Sequence, residues 1–76
     1  MSNFPTITPK KIISILESQG FVLDRIKGSH HIFYNSEIKK RVVVPLHKND
    51  LPFGTMMEIL KQAGISKEEL MCLLKD

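Results

Sequence analysis

The chain has 76 residues, 42% of them hydrophobic, and 11 Lys and Arg against 8 Asp and Glu give a formal charge of +3. That length admits one domain with a small core, burying only about 60% of the unfolded surface, and the hydrophobic share excludes a disordered chain. A lone cysteine, Cys72, excludes an internal disulfide, and no apolar run reaches bilayer length, so a cytoplasmic protein with no membrane partner is expected.

The whole of 1–76 reads as a single domain, with residues 1–7 as a flexible leader. A helix follows: Thr8 can cap it, Pro9 suits its first position, and Ile12, Ile13, Leu16 and Gln19 recur at helical spacing before the stop at Gly20. Residues 21–26 are rich in strand formers and end at the turn Lys27-Gly28-Ser29. A second strand spans 30–34, Asn35-Ser36-Glu37 turns the chain, and a third strand spans 41–44, where Val42-Val43-Val44 disfavours helix and Pro45 ends the run. Residues 46–53 form a loop with Asn49, Asp50 and Pro52 as breakers. Met56, Ile59, Leu60 and Ala63 then mark a second helix, stopped by Gly64. Ser66-Lys67-Glu68-Glu69 is a capping box that opens a short third helix, with Leu70, Leu73 and Leu74 inward.

The order predicts an α+β fold, α-β-β-β-α with a short C-terminal helix. Three strands joined by short turns make an antiparallel sheet, with helices on one face and Lys and Arg around the free face. Small double-stranded-RNA-binding domains share this plan, and by analogy it raises the prior for an RNA ligand.

The most telling run is Lys27-Gly28-Ser29-His30-His31-Ile32-Phe33. Histidine titrates nearest neutral pH and can take and give a proton in one turnover; with Lys and Arg on both sides, the pair points to phosphodiester chemistry. Adjacent strand residues face opposite sides, so His30 goes with Ile32 and Tyr34, and His31 with Phe33 and Asn35. Periodicity alone does not say which set is inside. The plainer reading of either histidine is a half-buried strand residue bonded to a carbonyl. Ser29 lacks a nucleophile-elbow context and reads as a turn serine. Lys10-Lys11 and Lys39-Lys40-Arg41 read as solvated faces, and at most one of Phe33 and Tyr34 can stack on a base. Met56, Met57 and Met71 read as core or interface packing, and Cys72 as a small buried hydrophobe. Three histidines and one cysteine match no common zinc spacing, and P-loop, dinucleotide and EF-hand patterns are absent; neither metal nor cofactor is expected.

The run from Gly20 to Phe33, together with Val42-Val43-Val44-Pro45-Leu46-His47 and with Gly54-Thr55 followed by Ile59-Leu60-Lys61-Gln62-Ala63-Gly64-Ile65, resembles the HicA (YcfA-like) toxins, which are mRNA interferases. The resemblance implies an endoribonuclease with a double-stranded-RNA-binding-like fold, an mRNA substrate and a HicB-type antitoxin, with operator DNA reached only through that antitoxin. The family's Gly-Ser-x-His histidine falls on His31, and its Pro-x-His element on Pro45-Leu46-His47. The leader before Pro9 is longer than usual, the second turn lacks the frequent Asp-Gly, and Phe53, Met56 and Met57 make the second helix start unusually apolar.

RNA carries its own nucleophile, the 2′-hydroxyl. Cleavage needs a base for that proton, an acid for the leaving 5′-oxygen and cations against the developing charge. His31 is the candidate acid or base. Lys27, Gly28, Ser29, Arg41, His47 and Lys48 are the candidate RNA-binding residues, and the scheme requires no metal. It expects the His31 imidazole on the uncovered side of the sheet. Two rivals remain. A non-catalytic duplex-RNA binder is disfavoured by Gly54-Thr55-Met56-Met57-Glu58, where lysines are usual; a protein-interaction module would use Phe53 and the methionines.

Overall fold

In the computed structural model, residues 7–46 and 51–74 are described. They form α1 (Pro9–Ser18), β1 (Val22–Lys27), β2 (His30–Asn35), β3 (Lys40–Pro45), α2 (Phe53–Ala63) and α3 (Lys67–Leu74), the α+β order expected from the sequence. Local chemistry sets most of these limits. Thr8 caps α1, its Oγ1 accepting from the Lys11 N–H at 3.2 Å, with Pro9 in the first turn. At the other end Gly20 takes a φ of 98°, the Gly20 N–H donates to the Glu17 carbonyl and the Phe21 N–H to that of Leu16. This is the Schellman pattern, completed by burial of both Phe21 and Leu16. α2 ends the same way: Gly64 has a φ of 76° and the Ile65 N–H donates to the Leu60 carbonyl. The capping box of α3 forms in both directions, Glu69 N–H to Ser66 Oγ and Ser66 N–H to Glu69 Oε1, each 3.0 Å.

The sheet runs β1-β2-β3, antiparallel throughout. Its register sorts the side chains onto two faces. One face carries the rows Leu23–Phe33–Val42 and Ile26–His31–Val44; the other carries Val22–Tyr34–Arg41, Arg25–Ile32–Val43 and Lys27–His30–Pro45. A bulge between Leu23 and Arg25 lets both register segments coexist. The helices cover the first face. Phe33, Val42 and Val44 are buried there against Ile12 and Leu16 of α1, Met56, Ile59 and Leu60 of α2, and Leu70 of α3. Cover is uneven, for β2 and β3 lie beneath it while all six residues of β1 are exposed.

The two sheet edges differ as well. Lys27 and His30 close a two-residue turn and so form a hydrogen-bonded pair. Even-numbered residues of β2 therefore turn their backbone to β1 and odd-numbered ones to β3. On β3 the odd-numbered positions then face outward. Val43 N–H is met there by Gln62 Oε1 of α2 at 3.0 Å, and Pro45 occupies a position where no N–H is needed.

Beyond small shifts of strand ends, which take in Lys27, Asn35, Lys40 and Pro45, several details of placement depart from the sequence expectations. Ile7, assigned to the leader, is a core residue whose carbonyl accepts from Leu51 N–H at 2.9 Å. Phe21 precedes its strand as the buried end of the α1 cap. Phe53 belongs to α2 rather than the loop. Cys72 is exposed, because the short α3 buries only a narrow stripe centred on Leu70.

Candidate active site

The site is built around the β1–β2 turn. Gly28 takes a φ of 62° while Ser29 keeps a negative φ, the arrangement of a II′ turn, whose first central position favours glycine. Both turn residues are exposed. The Ser29 carbonyl accepts from Leu46 N–H at 2.7 Å, which fastens the end of β3 beside the turn. His31 is therefore held one residue into the central strand, between Ile26 and Val44.

Its face corrects the sequence expectation: His31 lies on the helix-covered side with Phe33, not on the uncovered side. The reason is alternation. Phe33, Val42 and Val44 need the helices, and a residue two positions from Phe33 must share its side. The ring is nevertheless not sealed in. His31 is half-buried, since it stands in the last row of that face and its neighbour on β1, Ile26, is 55% exposed. The imidazole Nδ1 is enclosed and has no hydrogen-bond partner. The carbonyl partner expected of an ordinary strand histidine is thus missing at this atom.

The other candidates divide. Lys27 pairs with His30 and projects to the open face, four residues from His31 in sequence and across the sheet from it. Arg41 also lies on the open face, three residues along the strand from Val44, or about 10 Å at strand rise. There its Nη1 donates to Asp24 Oδ2 at 2.8 Å, and its guanidinium sits 4.8 Å from the Tyr34 ring centroid. Asp24 Oδ2 also lies 3.5 Å from Arg25 Nε. The structure thus brings Gly28, Ser29 and His31 together and sets Arg41 apart. His47 and Lys48 lie outside the described residues. Of the two aromatics, Phe33 is core and Tyr34 is the one available on the open face. Sequence reasoning missed Asp24, for an acid in a basic strand carries no signal until the bulge turns it toward Arg41. It also missed Asn35, whose buried amide ties two turns together. Among the described residues, no group of three or more His, Cys, Asp or Glu is placed to hold a metal ion, and no helix is long and apolar enough to cross a membrane.

The family model described as the HicA toxin of bacterial toxin-antitoxin systems matches residues 9–65, from the first residue of α1 to Ile65. The chain belongs to the HicA toxin family. It therefore has a toxin role, and an antitoxin partner goes with that role. Nuclease chemistry is consistent with the family. The matched span contains the turn, His31 and both Schellman caps, and leaves α3 outside. A search of curated proteins gives no significant match.

Proposed function

We propose that this toxin is an endoribonuclease that cleaves mRNA, with His31 as its acid–base residue, and that a HicB-type antitoxin neutralises it in the cytoplasm. The observation that carries the reading is the setting of His31, a half-buried imidazole in the last row of the covered face, next to an exposed glycine-serine turn, with Nδ1 enclosed and unpartnered. With Nδ1 shut off, Nε2 is the nitrogen through which the ring exchanges protons with a substrate. A strand of RNA laid over the turn brings a 2′-hydroxyl and its neighbouring phosphate to that nitrogen. His31 carries one of the two proton transfers. The amides of the exposed turn residues Gly28 and Ser29, with Lys27 reaching round the hairpin, oppose the charge that develops on phosphate. Arg41, with Tyr34 beneath it, contacts the strand away from the cleaved bond; His47 and Lys48 remain candidates for the same task.

The test is digestion of single-stranded RNA by purified protein, with and without EDTA. Cleavage is expected to persist in EDTA and to leave a 2′,3′-cyclic phosphate, the product of attack by the neighbouring hydroxyl. His31→Ala should lower the rate about 10²- to 10⁴-fold, the usual worth of acid–base catalysis. A His31→Ala protein that cuts as fast as the parent would replace this assignment with a non-catalytic RNA-binding role for the site.

A further inference from the structure

The two edges of the sheet are finished differently, and the difference points to a partner. β3 is closed, with Gln62 on the Val43 N–H and Pro45 at the next outward position. β1 has no such finish among the described residues. By the alternation set at the Lys27–His30 pair, Ile26 turns its N–H and C=O outward, and Leu23 does so beyond the bulge. Their side chains stand on the covered face yet are 55% and 43% exposed, because the helices stop short of this strand. On the opposite side of the same strand stand the exposed cations Lys27 and Arg25, the latter 3.5 Å from the Asp24 carboxylate that Arg41 also holds, so that this side of the strand and its neighbour Arg41 together carry three cations to one acid.

We propose that the antitoxin adds an extended segment as a fourth strand along the outer edge of β1, apolar on the side of Leu23 and Ile26 and acidic on the side of Arg25 and Lys27. The alternation follows from the strand period of two, which sends successive partner side chains to these two surfaces in turn. Seated there, the segment lies over the rim where Ile26 faces His31, so binding shuts the ring from RNA; this last step rests on the nuclease reading. A second copy of β1 fits the edge badly. It would set the Arg25 and Lys27 side of one chain against cations of the other, and like charges across a ladder repel.

Amide hydrogen exchange on the free toxin and on its complex with the co-expressed antitoxin tests the proposal. The Ile26 amide should exchange readily in the free chain and about tenfold or more slowly in the complex, as an amide taken into a ladder does. The Val43 amide, already bonded to Gln62, should change little. Lys27→Glu should weaken the complex by about tenfold, since it turns an attractive cross-strand pair into a repulsive one, while Lys10→Glu on α1 should not. An Ile26 amide equally fast in both states overturns the proposal, as does unchanged affinity in Lys27→Glu. Protection of Ile26 in a dimer of the free chain would assign the edge to a second copy instead. Protection does not depend on cleavage, so a protected edge on a toxin that cuts no RNA refutes the nuclease reading alone.

Discussion

Among the described residues, Asn35 is the buried polar side chain of the core, and its hydrogen bonds explain its presence there. Nδ2 donates to the Gln19 carbonyl at 3.1 Å, holding the end of α1, while Oδ1 accepts from Glu37 N–H at 2.9 Å and shapes the β2–β3 turn. Asn35→Ala removes the donor to the part-buried Gln19 carbonyl, frees the turn and leaves a gap where a buried side chain stood, and should cost about 1–3 kcal/mol of stability in urea unfolding. Asp24 is a different kind of residue. Its bond to Arg41 is exposed and contributes at most about 1 kcal/mol to folding. Its larger effect is on charge, since it occupies a guanidinium that could otherwise grip phosphate. Asp24→Asn is expected to bind single-stranded RNA more tightly, with a steeper loss of affinity as salt rises, and to melt within a few degrees of the parent. Equal affinities at low salt would show that Arg41 makes no phosphate contact.

At the scale of the element, the ends of helices are the best-determined features of the molecule. Gly20 and Gly64 each occupy a left-handed position followed by a buried apolar residue, and both stops were readable because they depend on a few adjacent residues. Gly20→Ala meets two obstacles, a φ of 98° and an Asn35 Nδ2 only 3.1 Å from the new Cβ. It should cost about 1 kcal/mol or more, measured as a shift of the urea midpoint. The capping box of α3 and the valine run of β3 were legible for the same local reason. The face on which His31 lies was not. An alternating strand looks alike from either side, and only the decision of the helices to cover Phe33 breaks the tie. Neither was the bulge legible, nor the exposure of Cys72, since both follow from how far packing reaches across the sheet. The sequence names His31, Gly28 and Ser29 as candidates, and their closeness along the chain already sets them near one another. The separation of Arg41 from them is a matter of register, which no single strand encodes.

On the scale of the whole molecule, the core is small enough that peripheral segments matter. Ile7 is almost fully buried, and its carbonyl binds Leu51 just before α2, so the chain ahead of α1 and the approach to α2 are fastened together. Ile7→Ala should lose about 2–5 kcal/mol, as a buried isoleucine truncation does, read from denaturant unfolding of the full chain. A loss near zero would return this residue to the role of a dispensable leader. The layers also explain why one side of the sheet can bear cations without harm: the apolar side is filled by helices, and the opposite side is left to solvent and to Arg25, Lys27 and Arg41.

His31 shares its row with Val44, a residue with no solvent exposure. The imidazole therefore has one flank anchored in the hydrophobic interior and the other at the boundary with water. Its orientation is inherited from the tightness of the interior instead of from a dedicated polar brace. Hollowing that interior by a methyl group or two should loosen the ring well before the domain comes apart, so that, with His31 as the proposed acid–base residue, RNA cleavage is lost at temperatures where the protein is still folded.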